Sequence, residues 1–281
     1  MIKFGPSGRS NDFLGKDTGE LAAWLSRFGL NAFEYSLGRG VRISSETAQS
    51  FGAEFAKCNI SVSVHAPYFI NLATAEADKA QKNLGYFSAS VKICNAMGGN
   101  RVVFHPGSPV GLSAKEARLA LRKNFDAVLQ SLQGKDVILC AETMGKRGQI
   151  GSVEDIISIC GHADNVYPCV DFGHLHARYQ GFFKTKDDYR RVIDDFFTGI
   201  GDRKTKNMHV HFSKIEYGLA GERKHLTFAD TAFGPEFEPL LEIIHEYGMT
   251  PTILTESDGT QTADAIKMKK YWDILQSQSE S

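Results

Sequence analysis

The sequence predicts an α/β protein, a (β/α)8 TIM barrel formed as a single domain over residues 1–281. Eight short apolar runs rich in Val, Ile and Phe alternate with longer segments of helical periodicity. Each strand and helix together take about 35 residues, the length of one unit in a barrel of about 250 residues. The composition, with 42% hydrophobic and 23% charged residues, excludes a disordered or fibrous chain. A doubly wound open sheet of five or six strands is the alternative.

The eight strands are expected where short runs are rich in β-branched and aromatic residues. They are Ile2–Phe4, Ala32–Tyr35, Ser61–His65, Arg101–His105, Val137–Glu142, Tyr167–Phe172, Met208–Phe212 and Thr252–Glu256. The helices are expected where apolar residues recur every three or four positions. They are Thr18–Phe28, Ser45–Cys58, Glu76–Met97, Ala114–Leu132, Ser152–Cys160, Lys186–Thr198, Glu236–Tyr247 and Thr262–Leu275.

Residues at the helix ends support these boundaries. Ser113 and Glu116 have the spacing of a capping box, in which each side chain bonds the backbone N–H of the other residue. Ser45 precedes an apolar-periodic segment and suits a helix N-cap. Gly29, Gly98 and Gly248 follow helices, where a left-handed backbone conformation is favoured.

Charge and cysteine content limit the class of protein. The formal charge is −1, so any nucleic-acid binding must come from a local patch and not from a basic coat over the whole surface. No run approaches the roughly 18 apolar residues of a membrane span, and the N-terminus lacks a signal-peptide pattern. The five cysteines are odd in number without a Cys-x-x-Cys pair, which predicts buried thiols and neither disulfides nor a thiolate zinc site. We therefore expect a cytoplasmic protein that does not associate with membranes.

Polar side chains end six consecutive predicted strands, although strands covered on both faces should be apolar. In a barrel these strand ends meet at one rim, where active sites lie. Imidazoles and carboxylates gathered there suit zinc, with manganese or iron as alternatives. Taken singly, each has a structural interpretation, such as a helix cap for Asp171. The strand-end residues are His65, His105, Glu142, Asp171, His174, His209, His211 and Glu256.

The segments that carry these residues resemble the endonuclease IV family of metal-dependent abasic-site endonucleases, which have a TIM-barrel fold. The similarity runs from about Phe28 to Ser257, and the order and spacing of the segments are specific. The segments are Val64-His65-Ala66-Pro67-Tyr68-Phe69-Ile70-Asn71, Phe104-His105-Pro106-Gly107, Ala141-Glu142-Thr143-Met144-Gly145, Val170-Asp171-Phe172-Gly173-His174, His209-Val210-His211-Phe212-Ser213-Lys214 and Thr255-Glu256-Ser257.

The resemblance implies a cluster of up to three zinc ions in which Glu142 bridges two metals and acts in catalysis. It assigns His65 and His105 to the first ion. It assigns Asp171, His209 and Glu256 to the second. His209 and His211 are two apart on one strand and face the same side, and the resemblance favours His209.

The third ion would be held by His174 and two residues of the loop after the seventh strand. Where the family usually shows Asp-Arg-His, this chain has Glu222-Arg223-Lys224-His225. Glu222 can replace Asp as an oxygen donor, and His225 is displaced by one position. The loop from Ser213 to about Gly234 is long for a compact domain, which favours a functional or mobile segment.

The resemblance further implies a double-stranded DNA partner that contains abasic sites, acted on in base excision repair by a monomer. The expected reaction hydrolyses the phosphodiester 5′ to the lesion and leaves a 3′-hydroxyl. Tyr68 stands where the family places an aromatic that enters the DNA stack, although it could also simply pack at a strand end. Arg39, Lys146 and Lys214 follow strands and could contact phosphates or be solvated surface charges.

Two other functions use the same residue types. A sugar isomerase or epimerase of the xylose-isomerase-like class also uses Glu, Asp and His at strand ends, typically around one metal, and Glu34 would suit it as an extra acid. The three histidines His65, His105 and His174 exceed what one metal can use. A non-catalytic nucleic-acid binder that kept the fold is the third hypothesis.

Overall fold

The computed structural model describes residues 1–279, in which eight parallel strands form a barrel surrounded by helices. A separate antiparallel hairpin of two strands, β8 (Lys214–Gly218) and β9 (Gly221–Leu226), follows the seventh barrel strand. The barrel strands are β1 (Lys3–Pro6), β2 (Ala32–Ser36), β3 (Ser61–His65), β4 (Arg101–Phe104), β5 (Ile138–Glu142), β6 (Val166–Asp171), β7 (His209–Phe212) and β10 (Thr252–Thr255).

Neighbouring strands follow the order β1-β10-β7-β6-β5-β4-β3-β2. The two ends of this order also meet, because the Asn31 amide donates to the Phe4 carbonyl at 3.0 Å and the Gly8 amide donates to the Glu34 carbonyl at 2.9 Å. The sheet therefore curves back on itself. The predicted barrel is confirmed and the open-sheet alternative is wrong, and all eight predicted strands are present with ends shifted by at most two residues.

Nine helices accompany the strands within residues 1–279, and one of them, a short helix, begins at the mouth of the barrel directly after β6. The nine helices are α1 (Thr18–Arg27), α2 (Ser45–Lys57), α3 (Ala77–Ala96), α4 (Ala114–Ser131), α5 (Val153–Cys160), α6 (Phe172–Arg178), α7 (Lys186–Lys206), α8 (Glu238–Glu246) and α9 (Gln261–Ser279). Every predicted helix is present. The short α6 was not predicted, because six of its seven residues are buried and the segment has no amphipathic period.

The helix caps agree with the sequence except at one residue. The Ser113–Glu116 capping box is present, and Gly29, Gly98 and Gly248 have φ of 71°, 74° and 57°. The N-cap of α2 is Ser44 and not Ser45. The hydroxyl of Ser44 accepts from the Thr47 amide at 3.2 Å, and Ser44 has an extended backbone, so the first helical residue is Ser45, one position earlier than an N-cap at Ser45 implies.

Apolar side chains fill the space between the strands and the helices, and a smaller group fills the barrel interior. The interior group is Val103, Cys140, Tyr167 and Cys169. All five cysteines are free thiols, and four of them are buried, as expected from the sequence. Within the described residues no helix has both the length and the apolar character needed to cross a membrane.

Candidate metal centre

The carboxyl ends of the barrel strands bring the predicted polar residues to one mouth, where they form three groups of ligand-type atoms. Within each group these atoms lie within 4.8 Å of one another. The groups are His65, His105 and Glu142; Glu142, Asp171, His211 and Glu256; and His174, Glu222 and His225. Eight of the nine residues expected from the sequence are thus brought together, and His209 is replaced by His211.

Glu142, at the end of β5, is the residue that joins the groups. Its Oε2 atom lies 3.0 Å from the Nε2 atoms of both His65 and His105. Its Oε1 atom lies 3.3 Å from His211 Nδ1 and 3.4 Å from His174 Nδ1. The side chain is 1% exposed, so this carboxylate faces four imidazoles almost without contact with bulk water.

Which histidine joins the second group depends on the register of β7 against β6. His211 is in register with Asp171 on β6, whereas His209 is in register with Cys169, two residues further into the barrel. Two residues along a strand move a side chain by about 6.6 Å. His209 therefore lies below the mouth, with its Nε2 atom 3.0 Å from Glu34 Oε2, and the structure brings His211 instead of His209 together with Asp171 and Glu256.

Asp171 has two distinct roles, one for each carboxylate oxygen. Its Oδ1 atom accepts from the His174 amide at 2.7 Å and caps α6, which confirms the structural interpretation of this residue. Its Oδ2 atom is buried and has no hydrogen-bond partner among residues 1–279. A buried carboxylate oxygen without a donor is costly unless a cation or proton occupies the space it faces. That space is shared with Glu142, His211 and Glu256.

The hairpin of β8 and β9 supplies two members of the third group. His174 Nε2 lies 3.5 Å from Glu222 Oε2, and His225 Nδ1 lies 2.8 Å from the hydroxyl of Ser213. The hairpin rests on the loop after β5, where the Glu222 amide donates to the Gly145 carbonyl at 3.2 Å. The segment that sequence analysis treated as a long loop is therefore an ordered arm that carries Glu222 and His225 to the mouth.

Two of the imidazoles are oriented by backbone carbonyls. His65 Nδ1 lies 2.7 Å from the carbonyl of Ala66, and His174 Nδ1 lies 2.8 Å from the carbonyl of Thr143. A carbonyl can only accept, so each of these Nδ1 atoms carries a proton, and in the neutral ring the lone pair is then on Nε2. Metal-ligating histidines in proteins are commonly oriented by such a bond from the other ring nitrogen.

The shifts in pKa at the mouth of the barrel show that its carboxylates favour positive charge beside them. Burial opposes protonation of His65, but the adjacent Glu142 outweighs it and raises the pKa of His65 to about 9. Burial likewise opposes ionisation of Glu142, yet His105 and the hydrogen bonds from three imidazoles hold its pKa well below the usual range. Burial raises the pKa of Asp171. Carboxylates packed this closely need cations, and bound metal ions provide that charge without protonating the ligands.

The donor set fits zinc. Imidazole nitrogens and carboxylate oxygens at the three groups are borderline and hard ligands, which suit zinc, with manganese or iron as the alternatives. The unpartnered Asp171 Oδ2 atom and the ring orientations of His65 and His174 are further features of a metal centre.

A cavity of about 320 Å³ opens over these groups. Tyr68, which is 60% exposed, and Lys146 both line it. Arg39 is exposed on the same rim but does not line the cavity. The Lys214 ammonium lies 2.6 Å from Glu236 Oε1 and donates to the Asp230 carbonyl, so its partners in the structure lie within the chain.

Glu34 is a buried acid whose position the sequence did not predict. Its carboxylate lies inside the barrel beneath the mouth, between His209 and His211. Burial alone would raise its pKa, but the charge of His211 and the contacts from both imidazoles hold the pKa well below its usual range. A Glu in the middle of a barrel strand was the available signal, because such positions are normally apolar.

Comparisons with known proteins give a consistent fold and a range of activities. Residues 22–272 match the family described as xylose isomerase-like TIM barrel. An uncharacterized protein from Methanocaldococcus jannaschii is 29% identical over 252 residues, which cover 89% of this chain and 90% of the relative. A probable endonuclease 4 from Aquifex aeolicus is 26% identical over 240 residues, which cover 83% of each chain. The crystal structure of a D-tagatose 3-epimerase-like protein superposes with a TM-score of 0.77 at 18% identity, covering 99% of this chain and 100% of that one.

Proposed function

The chain belongs to the xylose isomerase-like TIM barrel family, and we propose that it is a metal-dependent endonuclease acting on abasic sites in double-stranded DNA. The proposed reaction is hydrolysis of the phosphodiester 5′ to the lesion, which leaves a 3′-hydroxyl, as a step of base excision repair. The observation that carries this proposal is the set of three ligand groups at one mouth, two of which share Glu142. The relatives named as probable endonuclease 4 support it.

The three groups would hold up to three zinc ions. Divalent cations there, when bound, supply Lewis-acid activation of water and neutralise charge on the scissile phosphate. Glu142 would hold two of them at a fixed separation, because its two oxygens face different groups. We assign Glu142 the further role of accepting the proton of the attacking water, since no other carboxylate in the described chain faces both of these groups.

Substrate recognition would fall to residues at the rim of the cavity. Tyr68 presents an exposed aromatic face beside the cationic centre, which suits stacking against an unpaired sugar or base. Lys146 lines the same cavity and could neutralise a backbone phosphate. We infer that Arg39, on the neighbouring loop, contacts a more distant phosphate of the same duplex.

A sugar isomerase or epimerase is the second candidate, and one observation favours it. The group of Glu142, Asp171, His211 and Glu256 is by itself sufficient for a single metal ion. Against this interpretation, Glu34 is completely buried below the mouth and cannot act as an extra acid on a sugar. The groups around His105 and His174 would also have no role in a one-metal enzyme.

A paired measurement tests the proposal. The metal content of the purified protein is determined first, and the protein is then incubated with a labelled duplex that carries one abasic site. An intact duplex of the same sequence is the matched control. About three zinc ions per chain, with cleavage that a chelator abolishes and zinc restores, would support the nuclease. One metal ion per chain, no cleavage, and epimerisation of a free ketose would overturn it in favour of the sugar enzyme.

A further inference from the structure

We propose that Glu34 is a positioning residue that fixes which ring nitrogen of His211 faces the metal centre. The inference rests on the metal centre of the proposed function but not on the nature of the substrate. It assigns a role to a buried acid that no step of the proposed reaction uses.

Glu34 lies in the middle of β2 and is fully buried. Its Oε1 atom lies 2.8 Å from His211 Nε2 and also accepts from the Ser7 hydroxyl at 3.2 Å. Its Oε2 atom lies 3.0 Å from His209 Nε2 and accepts from the Ser63 hydroxyl at 3.0 Å. With two contacts to each oxygen, the carboxylate has one defined orientation inside the barrel.

This arrangement selects one tautomer of His211. An ionised carboxylate can only accept, so the Nε2 atom beside Glu34 Oε1 carries a proton, although the contact is close but not well aligned as a hydrogen bond. With Nε2 protonated, the Nδ1 atom has two possible states: it carries a second proton that bonds Glu142 Oε1 at 3.3 Å, or, in the neutral ring, it offers a lone pair to a cation. The ring is thus presented to the mouth through Nδ1.

The surroundings of that lone pair fit a shared cation. His211 Nδ1 lies 3.3 Å from Glu142 Oε1 and 3.5 Å from Glu256 Oε1. A nitrogen lone pair that faces two carboxylate oxygens at these distances is repulsive unless a proton or a metal ion lies among them. Glu34 would therefore keep the proton on Nε2, so that a metal ion takes the place of the proton on Nδ1 and His211 binds through that atom.

His209 completes the arrangement from the other side. Its Nε2 atom is hydrogen-bonded to Glu34 Oε2 at 3.0 Å, and this bond prevents the carboxylate from turning that oxygen toward His211. Both imidazoles are fully buried, and they lie two residues apart on the same face of β7. His209 thus supports the carboxylate that orients His211, instead of binding the second metal itself.

Glu34→Gln tests the role with nearly unchanged volume. Its amide nitrogen donates, so one of the two imidazoles must give up its Nε2 proton or lose its partner. We expect one zinc ion to bind about 10- to 100-fold more weakly by competition with a chelating dye, with the other ions unaffected. Ser63→Ala removes a hydrogen bond to the same carboxylate but keeps the charge, and it should change zinc affinity by less than about threefold.

Two outcomes would overturn the proposal. One is an unchanged affinity of every zinc ion in Glu34→Gln, even if the metal-free variant is less stable, because that pattern indicates a structural role alone. The other is a cobalt-loaded wild type with a thiolate absorption band, because Cys169 lies within 4.8 Å of His209 and His211 ligand atoms and would then hold an ion with them.

A measurement on the wild type keeps the test valid if Glu34→Gln does not fold. Nitrogen-15 NMR of the histidine rings in the zinc-loaded protein should show His211 protonated at Nε2 and metal-bound at Nδ1, and the reverse assignment would refute the role of Glu34. A chain that loads zinc in this way but does not cleave abasic DNA would contradict the proposed nuclease and leave this inference standing.

Discussion

A Cβ atom added to Gly145 would lie 2.6 Å from the Cβ atom of Glu222. The loop after β5 and the hairpin of β8 and β9 therefore meet where only a glycine fits. The same contact is reinforced by the bond from the Glu222 amide to the Gly145 carbonyl. Because Glu222 and His225 are both carried by the hairpin, the third ligand group depends on this close approach.

Gly145→Ala should displace the hairpin and disrupt the third group. We expect the zinc content to fall by about one ion per chain while the other two remain, since their ligands lie at the ends of barrel strands and not on the hairpin. The matched control is Gly148→Ala, three residues along the same loop, where an added Cβ meets no atom within 4 Å. Metal analysis and circular dichroism check the prediction. Equal zinc content in the two variants would show that the hairpin tolerates the shift.

Glu142→Gln should abolish cleavage of abasic duplex, because an amide cannot replace a carboxylate that faces four imidazoles. We expect the rate to fall by more than about 100-fold, together with loss of bound zinc, while the barrel stays folded. Asp258→Asn serves as the control, since Asp258 is an exposed acid on the same rim that pairs with Lys224 at 3.2 Å. Wild-type cleavage by Glu142→Gln would rule out its bridging role.

Tyr68→Ala should weaken cleavage without altering the metal centre. Loss of one stacked aromatic is expected to raise the KM for abasic duplex by about 10-fold, with zinc content and thermal stability unchanged. Val110, which is 74% exposed on another rim loop, provides the matched apolar control in Val110→Ala. Steady-state kinetics on the two variants distinguish the outcomes, and identical KM values would mean that Tyr68 only packs at the strand end.

Asp155→Asn should make the protein less stable in a pH-dependent way. Burial opposes ionisation of Asp155, but Arg118 and the amides of Gly151 and Ser152 outweigh it and lower its pKa. A folded-state pKa below the unfolded one gives stabilisation that is complete above about pH 5 and is lost as the pH falls through the folded-state pKa. We expect the free energy of unfolding to drop by about 1–2 kcal/mol at neutral pH.

Urea denaturation of wild type and Asp155→Asn at several pH values checks this, because the difference between them should shrink toward acid pH. Glu154→Gln, at the exposed neighbouring position, should change the unfolding free energy by less than about 0.5 kcal/mol. A difference between wild type and Asp155→Asn that stays constant with pH would contradict the lowered pKa.

The sequence predicted the barrel and its mouth because both depend on local patterns. Short apolar runs ending in His, Asp or Glu are visible along the chain, and a parallel barrel brings such ends together. The choice between His209 and His211 depends instead on the register of β7 against β6, which pairs His211 with Asp171. That register is set by packing of the whole barrel, and both histidines face the interior in either case.

The hairpin and Glu34 could not be predicted for related reasons. The sequence of β8 and β9 is rich in charged residues and has no strict alternation, since the hairpin packs on the loop after β5 and on α6 instead of on the core. Glu34 was visible as a polar residue within a strand. Its partners His209 and His211 are about 175 residues away along the chain, so only the closed barrel shows that they meet.

The two oxygens of Glu142 have a thermodynamic consequence for metal loading. One oxygen faces His65 and His105, and the other faces His174 and His211. Cations bound on the two sides would both restrict the rotation of the Glu142 side chain, because each would bind one of its oxygens. Occupancy on one side must then alter affinity on the other by the same factor in both directions. Filling of the centre is therefore expected to be cooperative, with a titration curve that differs from that of independent sites.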